Sequence, residues 1–154
     1  MKRRILWTFA GLCAALLLGA LMVLTLDGPH SRQAANEAAA VFNLREIDNL
    51  QRRYAAAHPE KGFTCELHEL KYSAQGRNDA DELLTTGKRD GYTFSLSNCS
   101  ANTQGVIVHY QATAVPIERG VAGLRAFCGN EERIVWEDEN GSGANCLQSQ
   151  HPLE

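Results

Sequence analysis

The sequence lacks the short motifs of the common enzyme classes. It has no Gly-x-Ser-x-Gly and no glycine-rich phosphate loop, because "GSG" at 141–143 follows Asn140 in a predicted hairpin turn. A nucleophile needs a partnered base, and His109 lies mid-strand in a predicted sheet, where a histidine is expected on the surface. The sequence therefore predicts that the protein is not an enzyme and holds no cofactor.

An excess of positive charge is also missing. The chain has 15 Lys and Arg against 18 Asp and Glu, a net charge of −3. Three of the basic residues precede residue 27, so the rest of the chain carries 12 basic and 18 acidic residues, a net charge of −6. Nucleic acid and anionic lipid both require a basic patch. The composition therefore predicts no nucleic-acid partner.

Charge is absent altogether from residues 5–26, a run of 22 mostly apolar residues. As a helix the run would be about 33 Å long, enough to cross a hydrocarbon core of about 30 Å. It is longer than the ~7–15 residues of a secretory signal and ends without small residues at a cleavage site. Leu12 also does not fit the residue before a lipidated cysteine at Cys13. We expect a retained membrane anchor, with a cleaved signal as the alternative.

Basic residues orient this predicted anchor. Because Lys2, Arg3 and Arg4 precede the run and Asp27 follows it, the N-terminus is expected in the cytoplasm. The chain then divides into a cytoplasmic tail, a transmembrane anchor and an exported domain, at residues 1–4, 5–26 and 27–154. The expected localisation is a single-pass inner-membrane protein whose C-terminal domain is periplasmic or extracellular.

Cysteine usage agrees with export. Cys13 lies in the membrane run and is expected to be an inert apolar residue. The other four cysteines lie beyond residue 26, in the predicted exported domain. An even number in an oxidising compartment predicts two disulfides, for which three connectivities are possible. Neighbouring elements usually pack together, which favours joining the cysteines in sequence order. The favoured pairs are Cys65–Cys99 and Cys128–Cys146.

Zinc is the alternative use of one of these cysteines. "CELH" places Cys65 three residues before His68, and His58 is near. Zinc sites usually contain two such pairs, and the sequence has no second Cys-x-x-His or Cys-x-x-Cys. Because only one such pair is present, we expect no metal ion at Cys65, His68 or His58.

An amphipathic helix is predicted at about 31–58. The segment contains no Gly or Pro before Pro59, and Ser31 is a suitable N-cap. Apolar residues recur three or four apart and define one face: Ala40, Val41, Leu44, Ile47, Leu50, Tyr54 and Ala57. The opposite face is assigned to Arg45, Glu46, Asp48, Arg52 and Arg53. Since only "DGPH" separates it from residues 5–26, the membrane helix is expected to continue into this helix.

The middle segment, residues 64–91, predicts one or two short helices in loop. Beyond it, the spacing of apolar residues changes from about 3.6 to two. Alternating residues predict strands in "YTFSLSNC" and "VIVHYQATAVP", followed by shorter strands in "LRAFC" and "RIVWE". The sheet is expected at about 91–147. A helix followed by consecutive strands predicts an α+β fold, with a small antiparallel sheet packed on the amphipathic helix.

The order of these elements resembles that of type IV pilins and type II secretion pseudopilins. Three segments are similar to a group of pilin-like proteins: "NLREIDNLQRRYAAAHPEKGF", "LLTTGKRDGYTFSL" and "YQATAVPIERGVAGLRAFCGNEERIVWEDENGSGANCL". They share a helix ending in a Tyr-Ala turn, a Gly-Tyr-x-Phe strand entry and an "R-x-F-C" strand. The resemblance covers residues 34–147 and implies a pilin-like fold.

The N-terminal run departs from that family. Pilins are cleaved by prepilin peptidase between a glycine and a phenylalanine, and carry a glutamate at the fifth position of the mature chain. This chain has no Gly-Phe after its basic residues and no Asp or Glu in residues 5–26. The run therefore predicts a plain anchor carrying a pilin-like head.

The resemblance also implies a weak calcium candidate, because some pseudopilins bind calcium in a loop near the end of the sheet. "EDENGSG" supplies oxygen ligands of the kind that calcium prefers. The candidate ligands are Glu137, Asp138, Glu139 and Asn140. A solvated acidic turn explains the same residues.

Two functions follow as hypotheses. The first is a membrane-anchored, pilin-like structural or interaction protein, an accessory or minor component of a type IV pilus or type II secretion system. Its partners would be the membrane and other envelope, pilus or secretion proteins. The alternative is a stand-alone envelope binding domain with a pilin-like fold outside any filament.

Overall fold

Helix α1 runs from Pro29 to Ala57. The computed structural model describes residues 29–74 and 81–153, and the chain divides into two compact units, Met1–Arg32 and Gln33–Glu154. The predicted anchor at 5–26 lies outside the described residues, and no helix within them is long and apolar enough to cross a membrane. The second unit contains most of α1 and the whole sheet.

The ends of α1 follow from its two prolines. Proline is well suited to the first helical position, because its missing N–H would have no helical partner there. Ser31 therefore lies inside the helix, and the prediction that it is the N-cap is wrong. At the other end, His58 N donates to Tyr54 O over 2.9 Å and Pro59 prevents a further turn.

The predicted apolar face of α1 is buried except at its last residue, Ala57, and one residue of the predicted opposite face is buried as well. Ala40, Ile47 and Leu50 are completely inaccessible, whereas Ala57 is exposed. Asp48, which the sequence placed on the solvent side, is buried with 8% exposure. Its carboxylate has hydrogen-bonding partners in the sheet, so this prediction is corrected: α1 buries polar as well as apolar side chains.

Six antiparallel strands form the sheet, and each pairs with its neighbour in sequence. The strands are β1 (Lys88–Arg89), β2 (Tyr92–Ala101), β3 (Ile107–Pro116), β4 (Ala126–Asn130), β5 (Val135–Asp138) and β6 (His151–Pro152). The four longer strands confirm the predicted α+β class, and both edges are two-residue strands that the sequence pattern did not predict. Short edges limit unwanted pairing with other chains.

Side chains from β2, β3 and β4 form one core with α1. The sheet supplies Tyr92, Phe94, Tyr110, Ala112, Ala114 and Phe127 to this core. Alternation along β2 and β3 places these residues on one face. A 3-10 helix, Leu67–Ala74, and α2, Asp81–Thr86, precede β1.

A second, small cluster consists of Cys128, Trp136 and Cys146, with Leu147 beside it. Cys146 lies in α3, Gly143–Ser149, a helix that the sequence pattern did not predict. Ser142 is its N-cap, with Oγ accepting from Asn145 N over 3.2 Å. The "GSG" segment therefore begins a helix after the Asn140-Gly141 turn, which corrects its assignment to the turn alone.

The described part of the chain contains two disulfides, in the pairs that sequence order favours. Cys65 joins Cys99, and Cys128 joins Cys146. The first ties the segment after α1 to β2, and the second ties α3 to β4. Because Cys65 is bonded to Cys99, it offers no thiolate for the zinc alternative with His68.

Candidate functional site

An open groove of about 400 Å³ lies between one side of α1 and the hairpin formed by β4 and β5. Two large apolar side chains line it and remain accessible: Phe42 is 59% exposed and Ile134 is 44% exposed. Arg45 and Arg133 also line it. The groove therefore combines apolar walls with two guanidinium groups.

Helix periodicity and one glycine explain the shape of the groove. Phe42, Arg45 and Asn49 are three or four residues apart, so they share one side of α1. On the facing hairpin, Gly129 has no side chain. A Cβ at this position would lie 3.0 Å from Ile134 O. Because Gly129 has no side chain, β4 and β5 can pack closely here, and the groove has space over Gly129.

Asp48 joins α1 to the sheet beside this groove. Its Oδ1 accepts from the Tyr110 hydroxyl over 2.9 Å, and its Oδ2 lies 3.2 Å from both Arg52 Nε and Arg133 Nε. Burial and the charge of Asp48 raise the pKa of Tyr110 well above its ordinary value. The Tyr110 hydroxyl therefore stays protonated at neutral pH and donates a hydrogen bond to Asp48. Both oxygens of the buried carboxylate have partners.

The lining of the groove suits binding. It contains Arg, Asn, Asp, Glu and Tyr, but no Ser, Cys, His or Lys. Apolar contact through Phe42 and charge-assisted hydrogen bonds from Arg45 and Arg133 are the interactions it can offer a partner. A pocket of this volume lies at the lower end of the ~300–1,000 Å³ range of small-molecule sites.

His109 lies on the surface of β3, as predicted. Its Nδ1 is 2.6 Å from Glu131 Oε1. Burial acts to raise the pKa of Glu131, but the hydrogen bonds from His109 and Tyr110 N outweigh it, and the pKa lies below its ordinary value. Glu131 Oε2 also accepts from Tyr110 N over 3.3 Å, so this carboxylate joins β3 to the residue that follows β4.

The weak calcium candidates lie where β5 ends and the next turn begins. Glu137 Oε2 accepts from Arg125 Nη1 over 2.6 Å, and Asp138 Oδ2 accepts from Ser142 N over 2.8 Å. Glu139 and Asn140 are exposed. Within residues 29–74 and 81–153, no group of three or more His, Cys, Asp or Glu is arranged to hold a metal ion. The calcium site stays a prediction, with two of its ligands already engaged.

Arg125 forms a second polar connection between α1 and the sheet. Its Nε and Nη2 lie 2.9 and 2.8 Å from Glu37 Oε2, while Nη1 reaches Glu137. Burial acts to raise the pKa of Glu37. Hydrogen bonds from Leu124 N and Arg125, together with the charge of Arg125, outweigh burial and lower this pKa. We call Glu37, Arg125 and Glu137 the arginine clamp.

The β3–β4 loop, residues 117–125, is a second accessible apolar surface. Ile117, Val121 and Leu124 are 56%, 62% and 45% exposed. The sequence pattern did not predict this loop as a surface. Its apolar residues are four and three apart, as in a helix, but Gly120 and Gly123 interrupt them. The available signal was three large apolar residues in a short segment interrupted by glycines.

Comparisons with protein-family models, with curated proteins and with solved structures return no match for this chain. The relation to pilins and pseudopilins therefore rests on the resemblance of its sequence segments alone.

Proposed function

We propose that the protein is a membrane-anchored, pilin-like interaction protein, an accessory or minor component of a type IV pilus or type II secretion system. In this proposal residues 1–4 are cytoplasmic, 5–26 form a single-pass inner-membrane anchor, and 27–154 are periplasmic or extracellular. The observation that supports it most is the position of α1. This helix of 29 residues begins three residues after the apolar run ends, and its buried face packs against the sheet.

Disulfides and the groove support the same proposal. Two disulfides in a small domain are typical of exported proteins, because the cytoplasm keeps thiols reduced. Phe42 and Ile134 remain accessible beside Arg45, and such exposed apolar residues with a polar rim are typical of interaction surfaces. A neighbouring envelope protein would cover them.

The N-terminal sequence fits an accessory component better than it fits the main subunit of a filament. Without a Gly-Phe junction, the basic residues at 2–4 stay attached to the run. Moving three charges into an apolar filament core would be costly. The protein would then display its head beside other subunits without polymerising alone.

The test is expression of the full chain with a prepilin peptidase and a minor pilin or pseudopilin set. We expect an unchanged N-terminus by intact mass, retention in membranes through alkaline carbonate, and co-purification with that set. Phe42→Ser should weaken co-purification, whereas Thr93→Ser, on an exposed part of β2, should not. Cleavage between Arg4 and Ile5, or filaments made mainly of this chain, would contradict the proposal.

The alternative is a stand-alone envelope binding domain, and the volume of the groove favours it. A site of about 400 Å³ with apolar walls and two arginines suits a small amphipathic ligand as well as a protein side chain. Under this alternative, the chain stays in the membrane but does not co-purify with any pilus or secretion subunit.

A further inference from the structure

The β3–β4 loop holds most of the accessible large apolar side chains in the described residues. Five such side chains are exposed, and two of them, Phe42 and Ile134, line the groove. The other three lie within eight residues of one another in this loop: Ile117, Val121 and Leu124. Exposing three large side chains together is unfavourable unless something covers them.

The loop has a defined backbone. Ile117 N donates to Gly91 O, Ala122 N to Glu118 O and Gly120 N to Gly123 O, all at 2.8–2.9 Å. Ala122 is buried, and a Cβ on Gly123 would lie 2.1 Å from the Tyr92 hydroxyl. The middle of the loop is thus packed under Tyr92, and its apolar side chains are held outward by ordered structure.

Polar side chains of α1 hold this loop in place. Asn36 Nδ2 donates to Ala122 O over 2.9 Å, and Glu37 Oε1 accepts from Leu124 N over 2.8 Å. The Gln33 side chain donates to Gly120 O. Three successive attachments therefore join the loop to the N-terminal part of the helix.

Chain length places those attachments near the predicted anchor. Three residues from Leu26 to Pro29 reach at most about 10 Å, and seven helical residues from Pro29 to Asn36 rise about 10 Å. Asn36 therefore lies within about 20 Å of the end of the predicted membrane span, and the β3–β4 loop is attached to it through Ala122 O. Side chains that enter a bilayer surface reach about 5–10 Å into the boundary between headgroups and acyl chains.

We propose that the β3–β4 loop inserts Ile117, Val121 and Leu124 into the outer surface of the membrane that holds the predicted anchor. The insertion gives the head a second attachment and so fixes its tilt. The inference rests on the proposed anchor. Insertion is apolar and does not depend on lipid charge, because residues 27–154 carry a net charge of −6. Within the loop, Glu118 and Arg119 balance each other, and Arg125 is paired with Glu37 and Glu137.

The inference can be tested by depth-dependent fluorescence quenching in the full chain. Trp7→Phe removes the tryptophan of the predicted anchor and leaves Trp136, which is 7% exposed, as a constant background. In this background we would compare Val121→Trp with Asn102→Trp, an exposed position in the β2–β3 turn at the other end of β3. Both variants are reconstituted in neutral phosphatidylcholine vesicles with or without brominated acyl chains.

We expect brominated lipid to quench Val121→Trp and shift its emission to shorter wavelength, while the emission of Asn102→Trp equals that of Trp136 plus a solvent-exposed tryptophan. Equal quenching at the two positions would overturn the inference. Protection of Val121→Trp from aqueous iodide without quenching by bromolipid would also overturn it, and would assign the loop to a second copy or another protein.

Failure of the anchor is distinguishable from failure of the loop. If the Trp7→Phe chain leaves the vesicles in alkaline carbonate, the proposed anchor is wrong and the loop inference falls with it. If the chain stays bound but Val121→Trp is not quenched, only the loop inference is wrong. As a final check, Ile117→Ser, Val121→Ser and Leu124→Ser combined should leave carbonate resistance unchanged, since residues 5–26 supply it.

Discussion

Replacing Arg125 by methionine should remove the arginine clamp without opening a large cavity. The Arg125 guanidinium contacts Glu37 of α1 at 2.8 Å and Glu137 of β5 at 2.6 Å, and lies 5.3 Å from the ring centre of Phe127. Methionine keeps apolar contact with Phe127 but provides no donor. Arg125→Met would thus leave two carboxylates without their cationic partner.

The expected cost follows from the burial of the three groups. The Glu37 and Glu137 side chains are only 10% and 12% exposed, whereas that of Arg125 is 38% exposed. Breaking a fully buried pair costs about 3–5 kcal/mol, and breaking an exposed pair about 0–1 kcal/mol. Solvent screening of the half-exposed guanidinium reduces the first figure, so we expect Arg125→Met to lower the free energy of unfolding by about 2 kcal/mol.

A double-mutant cycle in urea tests this reasoning on the full chain in detergent. Glu37→Gln removes one charge but keeps an oxygen that can accept from Leu124 N, so the double variant should recover about 1 kcal/mol relative to additive single effects. Arg119→Met is the matched control. Arg119 lies in the same loop but donates to the backbone carbonyls of Leu124 and Glu139, and it should cost less than about 1 kcal/mol. Strict additivity, or equal costs at the two arginines, would refute the assigned role of the clamp.

Three further predictions concern stability. Because the pKa of Glu37 is lower in the folded state than its ordinary 4.5, its stabilisation is present above that pH and is lost as the pH falls through the folded value. Urea unfolding at about pH 6 and about pH 3.5 should show this loss, and Glu37→Gln should reduce it. Replacing Cys128 and Cys146 together by alanine should lower the free energy of unfolding by about 3 kcal/mol and release α3, which chymotryptic cleavage after Leu147 would detect. Tyr110→Phe removes one donor to buried Asp48 and should cost about 1–2 kcal/mol, measured by the same urea unfolding and contradicted by an unchanged midpoint.

Periodicity was sufficient to predict the main elements of the fold. The apolar repeat in α1 and the alternation in β2 and β3 each reflect one buried face, so the pattern identifies both the element and its orientation. The strands β1 and β6 are too short for a period of two to be visible. Helix α3 was missed for the same reason, since seven residues form only about two turns.

Long-range polar pairs could not be predicted from the pattern. Asp48 is a charged residue of the type expected to face solvent. Its burial is favourable because Tyr110 and Arg133, both distant in sequence, supply a hydroxyl and a guanidinium to its carboxylate. Gln51 is similar: it is inaccessible to solvent, donates to Thr64 O over 2.7 Å and accepts from Thr64 N over 2.9 Å. The groove was missed because it depends on where such pairs place α1 against the sheet.

These polar pairs also determine where α1 lies along the sheet. The first eleven residues of the helix, "PHSRQAANEAA", contain no large apolar side chain, so apolar packing cannot hold this part in position. Asn36 instead donates to Ala122 O of the β3–β4 loop. Glu37 accepts from Leu124 N and from the backbone and guanidinium of Arg125, and Asp48 accepts from the Tyr110 hydroxyl on β3. A shift of α1 by one turn, about 5.4 Å, would break all of these bonds at once and leave buried polar groups without partners. The polar bonds of α1 therefore fix the position of the β3–β4 loop on this helix. The proposed insertion of the loop into the membrane depends on this fixed position.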